Sequence, residues 1–240
     1  YPLLGADISG PGGQNLPSGT GSLFSFPRRP RSSLMAHGIL FIVSAPSGAG
    51  KTSLVKALRE SLPELAVSVS HTTRAQRPGE IDGSDYFFVK QADFESMIAA
   101  GEFVEHANVF DNWYGTSRKS IELLLSSGSD VILEIDWQGA RQVRALMPDS
   151  RSIFILPPSL DELELRLSRR GQDEANTIAR RMRDAISEMS HHAEYDYVVI
   201  NDNFAHAVGD MIAIVRSCHC QIDMVNRERE DLIRALLSQN

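Results

Sequence analysis

Residues 44–52 read Ser-Ala-Pro-Ser-Gly-Ala-Gly-Lys-Thr, a glycine-rich run between two segments of different hydrophobic pattern. Before it, residues 39–43 form a short continuous apolar run, as is typical of a strand buried on both faces. After it, residues 51–62 place Leu54, Val55 and Leu58 on one helical stripe. A glycine-rich turn between a buried strand and a helix predicts a phosphate-binding loop (P-loop), because backbone N–H groups and the helix N-terminus can then face phosphate oxygens.

Two side chains in this loop have separate predicted tasks. Lys51 is expected to reach the β and γ phosphates of a nucleoside triphosphate, and the Thr52 hydroxyl is expected to ligate Mg²⁺. The usual pattern begins with Gly where this chain has Ala45, but the Gly50-Lys51-Thr52 core is intact. GTPases, ATPases and small-molecule kinases all share such a loop, so it predicts a triphosphate site without identifying the acceptor.

The rest of the chain alternates between strand and helix patterns. Short apolar runs at residues 131–135, 152–156 and 197–200 predict further buried strands. Helical patterns lie near residues 137–146, 159–169, 176–191 and 203–216. This repeated order predicts an α/β fold, a P-loop NTPase-type parallel sheet flanked by helices.

The segment from about 70 to 116 interrupts this alternation. It contains strand-like pieces at 86–89 and 102–105 around one helical segment near 91–100, separated by turn signals. We therefore predict an inserted α+β lobe at about 70–116, with the core formed by residues 38–69 and 117–240.

Residues 1–34 differ in composition from the rest of the chain, since half of them are Gly, Pro or Ser. A segment of this kind buries too little apolar surface to offset the entropy of ordering. We expect it to be a disordered extension or a remnant of expression, with residues 35–240 forming the folded domain. A targeting peptide is the alternative, because the segment contains Arg and few acids.

Overall composition limits the classes of partner. The net charge of −7 argues against a nucleic-acid polymer, and no apolar run approaches the ~20 residues of a membrane span. The two cysteines, Cys218 and Cys220, are too few for a disulfide scaffold and favour a reducing, cytoplasmic location.

Residues 70–80 read Ser-His-Thr-Thr-Arg-Ala-Gln-Arg-Pro-Gly-Glu and place Arg74 and Arg77 beside several hydroxyls. Guanidinium groups suit a bidentate grip on phosphate, and hydroxyls add further donors. A solvated basic turn is the alternative interpretation. Combined with the P-loop, the pattern favours a site for a second phosphate.

Five motifs in the same order resemble those of bacterial guanylate kinases: the loop at Ala45–Thr52, Ser70–Glu80, Asp85-Tyr86, Trp113–Thr116 and Glu134–Gly139. The resemblance covers roughly residues 36–237. It implies a kinase that uses ATP and Mg²⁺ to phosphorylate GMP, with dGMP left open as a second acceptor. Many relatives have Asp-Ile-Asp where this chain has Glu134-Ile135-Asp136.

The resemblance also implies which residues contact the two substrates. The implied contacts of the GMP phosphate are Ser70, Arg74, Arg77, Tyr86 and Tyr114. The implied contacts of guanine are Glu105, Thr116 and Asp136, with Glu134 in the same motif. The implied ATP contacts are Ala45, Pro46, Ser47, Gly48, Ala49, Gly50, Lys51, Thr52, Ser53 and Asn201, the last of these near the adenine.

A lid is implied at about residues 166–181, where two arginine-bearing helical patterns flank Gly171. The matching family arginines are Arg166, Arg170 and Arg181, which with Lys51 form the implied catalytic set. Such arginines would neutralise charge that develops during phosphoryl transfer.

Two other functions remain open at this point. The first is a related P-loop kinase for another phosphorylated acceptor, such as a different nucleotide or a sugar phosphate. The second is a non-catalytic guanylate-kinase-like interaction module, although such modules typically have degraded phosphate loops and this chain keeps Lys51 and Thr52.

Overall fold

The computed structural model describes residues 38–109, 111–169 and 175–238. Its elements in chain order are β1 (Leu40–Ser44), α1 (Lys51–Ser61), β2 (Ala66–Val67), β3 (His71–Thr72), β4 (Phe87–Phe88), α2 (Gln91–Ala99), β5 (Phe103–Val109), β6 (Asn112–Ser117), α3 (Arg118–Ser126), β7 (Val131–Glu134), α4 (Trp137–Leu146), β8 (Arg151–Leu156), α5 (Leu160–Arg169), α6 (Ala175–Met189), β9 (Tyr197–Ile200), α7 (Phe204–His219), α8 (Ile222–Glu228) and α9 (Glu230–Leu237). A short 3₁₀ helix, His192–Glu194, precedes β9.

The larger sheet has five strands in the order β2-β7-β1-β8-β9, and all its pairings are parallel. This confirms the predicted parallel α/β core. β1 lies at the centre, and Val43 near its end pairs with Glu134 at the end of β7. Because the carboxyl ends of neighbouring parallel strands share one edge, the loop after β1 and the residues after β7 lie side by side.

Alternate side chains of β1 enter two different core layers, as the period of a strand requires. Phe41 and Val43 pack in the layer that contains residues of α1 and α7. Leu40 and Ile42 pack in the layer that contains residues of α3 and α4. Each such buried Phe or Ile side chain stabilises the fold by about 1.5–3 kcal/mol, so the strand before the P-loop is firmly held.

The smaller sheet has four strands in the order β4-β3-β6-β5 and lies within residues 71–117. β5 and β6 pair antiparallel, with Glu105 opposite Thr116. Phe94 of α2 is fully buried and stacks on Phe103 of β5 at 4.6 Å between ring centroids. This pairing brings an acid and a hydroxyl together on neighbouring strands.

Several elements were not predicted from the sequence pattern, among them β6 and α3. β6 carries polar residues and Gly115 in place of an apolar alternation, and its pairings with β3 and β5 support it from both sides. α3 begins at an N-cap, where the Ser117 side chain accepts the N–H of Ser120. In the described part of the chain, no helix combines the length and apolar character that crossing a membrane requires.

Candidate active site

The P-loop connects β1 to α1 and takes its shape from two glycines. Gly48 has φ 91° and Gly50 has φ 97°, both in the left-handed region that disfavours side chains. Between them, the N–H of Ala49 donates to the Pro46 carbonyl at 3.1 Å. The loop is therefore folded tightly onto the start of α1, as a phosphate cradle requires.

Asn201 follows β9, and its side chain is hydrogen-bonded to the backbone of the P-loop. Its side chain is buried, and Nδ2 donates to the carbonyl of Ala49 at 2.7 Å. A Cβ on Gly50 would lie 2.5 Å from the same Nδ2. The family resemblance implies a position for Asn201 near the adenine, and the structure shows its side chain bonded to the loop backbone. It also lines an open cleft of about 430 Å³ with Ser53 and Arg166.

Lys51 begins α1 and is surrounded by acids. Burial lowers the pKa of its ammonium group, and carboxylates that raise it oppose this effect. These acids are, from largest to smallest effect, Glu134, Asp136, Glu188 and Glu105. Several carboxyl groups therefore act electrostatically on one ammonium group in this part of the site.

Glu105 of β5 and Thr116 of β6 lie opposite each other in the smaller sheet. The Thr116 hydroxyl donates to Glu105 Oε1 at 2.5 Å, and both residues are buried. Burial raises the pKa of the Glu105 carboxyl to about 7. Ser70 Oγ lies 3.2 Å from Thr116 Oγ1. The structure thus brings together Ser70, Glu105 and Thr116 from three separate stretches of the sequence.

Asp136 has a structural task in addition to its predicted one. It is the N-cap of α4, and its Oδ1 accepts the N–H of Gly139 at 2.9 Å. An Asp immediately before the first residue of a helix is a recognised N-cap signal. This role could therefore have been predicted from the sequence. Its charge also raises the pKa values of Glu105 and Lys51.

Arg74 lies in an aromatic and acidic setting. Its Nη2 donates to Glu80 Oε1 at 2.7 Å, and its guanidinium carbon lies 5.4 Å from the centroid of the Tyr86 ring. Tyr114 contacts the Tyr86 ring at 5.9 Å between centroids. Arg77 lies on the exposed turn, where its backbone N–H donates to Glu80 Oε2 at 2.8 Å. Three residues predicted to contact the phosphate, Arg74, Tyr86 and Tyr114, therefore lie close together. Arg77 lies on the exposed turn.

The lid arginines lie on two helices. Arg166 of α5 donates through Nε to Glu162 Oε1 at 2.8 Å and through Nη2 to the Asn201 carbonyl at 3.4 Å. Arg181 lies on α6 and is half-buried. Arg170 lies outside the described residues. Arg166 thus already faces the cleft beside the P-loop.

Glu188 of α6 was not predicted from the sequence. Its Oε2 accepts the N–H of Ser47 in the P-loop at 3.2 Å. Burial raises the pKa of its carboxyl to about 7. The two residues are 141 positions apart, and no motif links an acid on an amphipathic helix to a distant loop. The contact joins the helix that carries Arg181 directly to the phosphate-binding backbone.

Comparison with known proteins identifies the family of the chain. The family model described as guanylate kinase matches residues 38–218. The chain belongs to the guanylate kinase family. The guanylate kinase of Chromohalobacter salexigens is 58% identical over 84% of this chain and 94% of its own length. That of Methylococcus capsulatus is 61% identical over 76% of this chain and 90% of its own length.

A solved guanylate kinase has the same fold. The crystal structure of guanylate kinase from Anaplasma phagocytophilum aligns with a TM-score of 0.68 and 33% identity, covering 87% of this chain and 97% of that one. The resemblance inferred from five motifs is confirmed. Membership of the guanylate kinase family does not favour the interaction module or a kinase for a different acceptor.

Proposed function

We propose that this chain transfers the γ-phosphoryl group of ATP to GMP, giving ADP and GDP, with the P-loop holding ATP and the smaller sheet holding GMP. An oxygen of the GMP phosphate forms a bond to the γ-phosphorus, and the bond from that phosphorus to the bridging oxygen of ADP breaks. The GMP phosphate is already a competent nucleophile at neutral pH, so no general base is needed. Positioning and charge neutralisation then supply the rate enhancement.

The observation that carries this proposal is the buried pair of Glu105 and Thr116 within electrostatic reach of Lys51. Guanine presents N1–H and an exocyclic amine, and one carboxylate can accept from both. Adenine lacks that pair of donors and would leave a buried carboxylate unpaired. A site built for hydrogen bonds rejects such an analogue strongly, which supports GMP as the acceptor.

The GMP phosphate would be held where Arg74, Tyr86 and Tyr114 meet. Arg74 is bonded to Glu80 in this structure, so its guanidinium is oriented before substrate arrives. Ser70 adds a hydroxyl next to Thr116. Arg77, on the exposed turn, would fold inward onto the phosphate.

Mg²⁺ is the cation that we propose for the site beside Lys51. Thr52 is the second residue of α1 and is exposed, Glu134 ends the neighbouring strand β7, and Asp136 follows as the N-cap of α4. Hydroxyl and carboxylate oxygens are the donors that this hard cation prefers, so the residues fit. When bound with ATP, the ion would offset negative charge on the phosphates.

The lid would complete the site by adding Arg166, Arg170 and Arg181 to the phosphates. Arg166 supports this proposal because it already lines the cleft with Gly48, Gly50 and Asn201. Closure would exclude water and so limit hydrolysis of ATP in the absence of GMP.

The test is ADP release with ATP and Mg²⁺, measured with GMP, AMP, CMP, UMP and no acceptor. We expect turnover with GMP alone, and we expect Glu105→Gln to raise KM for GMP while KM for ATP changes little. Equal turnover of AMP and GMP would contradict the assignment of Glu105 and Thr116 to guanine. Tight GMP binding without turnover would instead favour an interaction module.

We also propose a cytoplasmic location. Both cysteines are free thiols, one buried at Cys218 and one exposed at Cys220, which suits a reducing compartment. Fractionation of cells of the source organism with an antibody to this chain would test it, and recovery in an extracytoplasmic fraction would contradict it.

A further inference from the structure

We propose that Gly139 is a positioning residue for guanine recognition, because it leaves the space on α4 that the Glu105 carboxylate occupies. Gly139 lies in the first turn of α4 and is buried. A Cβ at this position would lie 2.6 Å from Glu105 Oε2 and 3.1 Å from its Cδ. This inference rests on the proposed role of Glu105 in binding GMP.

The local backbone gives no reason for a glycine here. The glycines with positive φ include Gly48 and Gly50 but not Gly139, whose backbone is helical. Alanine is favoured over glycine inside a helix by about 1 kcal/mol. The capping bond to Asp136 uses the backbone N–H of residue 139, which every residue except proline provides. The contact with Glu105 is therefore the feature that excludes a side chain.

The surroundings of Glu105 leave its carboxylate little freedom to move. It is 3% exposed, and its Oε1 is bonded to the Thr116 hydroxyl. Thr116 is itself buried and lies beside Ser70. A methyl group at position 139 would push the Glu105 carboxylate out of this arrangement, since the end of a side chain yields more easily than a helix backbone.

Displacement of the carboxylate would act selectively on the acceptor. Hydrogen bonds to a charged group lose strength steeply when distance and angle change, so we expect KM for GMP to rise about 10- to 100-fold in Gly139→Ala. The P-loop contacts made by Asn201 and Glu188 do not involve Gly139. KM for ATP should therefore change less than about twofold.

The experiment compares Gly139→Ala with Gly209→Ala, a matched control. Gly209 also lies in a helix, α7, but it is exposed and a Cβ there would meet nothing within 4 Å. KM for GMP, KM for ATP and Tm are measured for both variants. We expect a selective rise in KM for GMP with a preserved Tm in Gly139→Ala, and no kinetic change in Gly209→Ala. Equal changes in both KM values, or a KM for GMP like that of wild type, would overturn the inference.

A second variant keeps the result interpretable. In the Gly139→Ala background, Glu105→Asp shortens the acid by one methylene and relieves the contact. KM for GMP in the double variant should then be lower than in Gly139→Ala alone. Glu105→Asp by itself should raise KM for GMP above that of wild type. Strictly additive effects of the two substitutions on KM for GMP would count against the proposal. If Glu105→Gln leaves KM for GMP unchanged, the proposed guanine site itself is wrong. If Glu105→Gln raises it and Gly139→Ala does not, only the role of Gly139 is wrong.

Discussion

The P-loop and the proposed guanine pocket, formed by Glu105, Thr116 and Asp136, are built in different ways. The P-loop is nine consecutive residues shaped by the backbone, and two side chains from distant elements, Asn201 and Glu188, bond to that backbone. The pocket is made of side chains from β5, β6 and α4, which meet because the strands pair and α4 packs on β5. A site formed by backbone groups tolerates substitution of many surrounding residues. A site formed by side chains depends on each of those side chains. The difference predicts where substitutions will act on ATP and where on GMP.

The largest expected effect comes from Lys51→Met, which removes the one charged side chain in the P-loop. The loop backbone should keep its shape, because its hydrogen bonds come from Ala49, Asn201 and Glu188. We expect kcat to fall about 10³-fold, the magnitude typical of losing a group that stabilises transition-state charge. Lys56→Met is the matched control, since Lys56 is exposed on the same helix. A similar loss of kcat in both variants would show that the effect is not specific to the loop.

Asn201→Ala tests how far the P-loop depends on a side chain. The substitution leaves the carbonyl of Ala49 without its donor in a buried position. An unpaired buried acceptor costs about 1–3 kcal/mol, so the free energy of unfolding should fall by that amount. Urea denaturation measures it, and ATP at saturating concentration should restore part of the loss. An unchanged free energy of unfolding would mean that water replaces the amide without cost.

The guanine pocket should respond to pH more strongly than the P-loop. Burial raises the pKa of Glu105 to about 7 in the free protein, and guanine donors require the ionised form. Below pH 7 the ionised fraction falls, so KM for GMP should rise about tenfold between pH 8 and pH 6. Initial rates over that range at saturating ATP measure the change.

Glu105→Gln supplies the control for this profile. The amide does not titrate, so the remaining dependence of KM should come only from the phosphate of GMP itself. A carboxyl group whose pKa is raised by folding destabilises the folded state at any pH above its pKa in the unfolded chain. Glu105→Gln should therefore keep or raise Tm at pH 8, which separates loss of recognition from unfolding. A steep profile that persists in the variant would assign the titration to another group.

The same contrast explains what the sequence could predict. The P-loop was predicted residue by residue because its parts are contiguous and its strand and helix neighbours have clear periods. The strand at 197–200 and the helix at 137–146 were predicted with the bounds that the structure gives. β6 was missed because its polar residues and Gly115 hide the strand pattern.

The guanine pocket could be predicted only through the resemblance to a family. Glu105 and Thr116 are 11 positions apart, and nothing in their local pattern indicates that they are hydrogen-bonded partners. Gly139 lies within one of the five motifs, but its proximity to Glu105 depends on how α4 packs against β5. The local sequence predicts backbone conformation well, but it predicts contacts between side chains that are distant in sequence poorly.

The smallest expected effect tests whether the P-loop is purely a backbone site. Glu188 places a carboxylate at the N–H of Ser47, where ATP would bring further negative charge, and its pKa of about 7 means that it is largely ionised at pH 8. Glu188→Gln keeps an acceptor for that N–H and removes the charge. Because a partly screened charge contact contributes about 1 kcal/mol or less, KM for ATP should fall about threefold at pH 8 and match wild type at pH 6. Glu164→Gln, at an exposed acid on α5, should change neither value. A higher KM for ATP in Glu188→Gln at pH 8 would mean that the charge assists ATP binding, and the P-loop would then share the dependence on side chains seen in the guanine pocket.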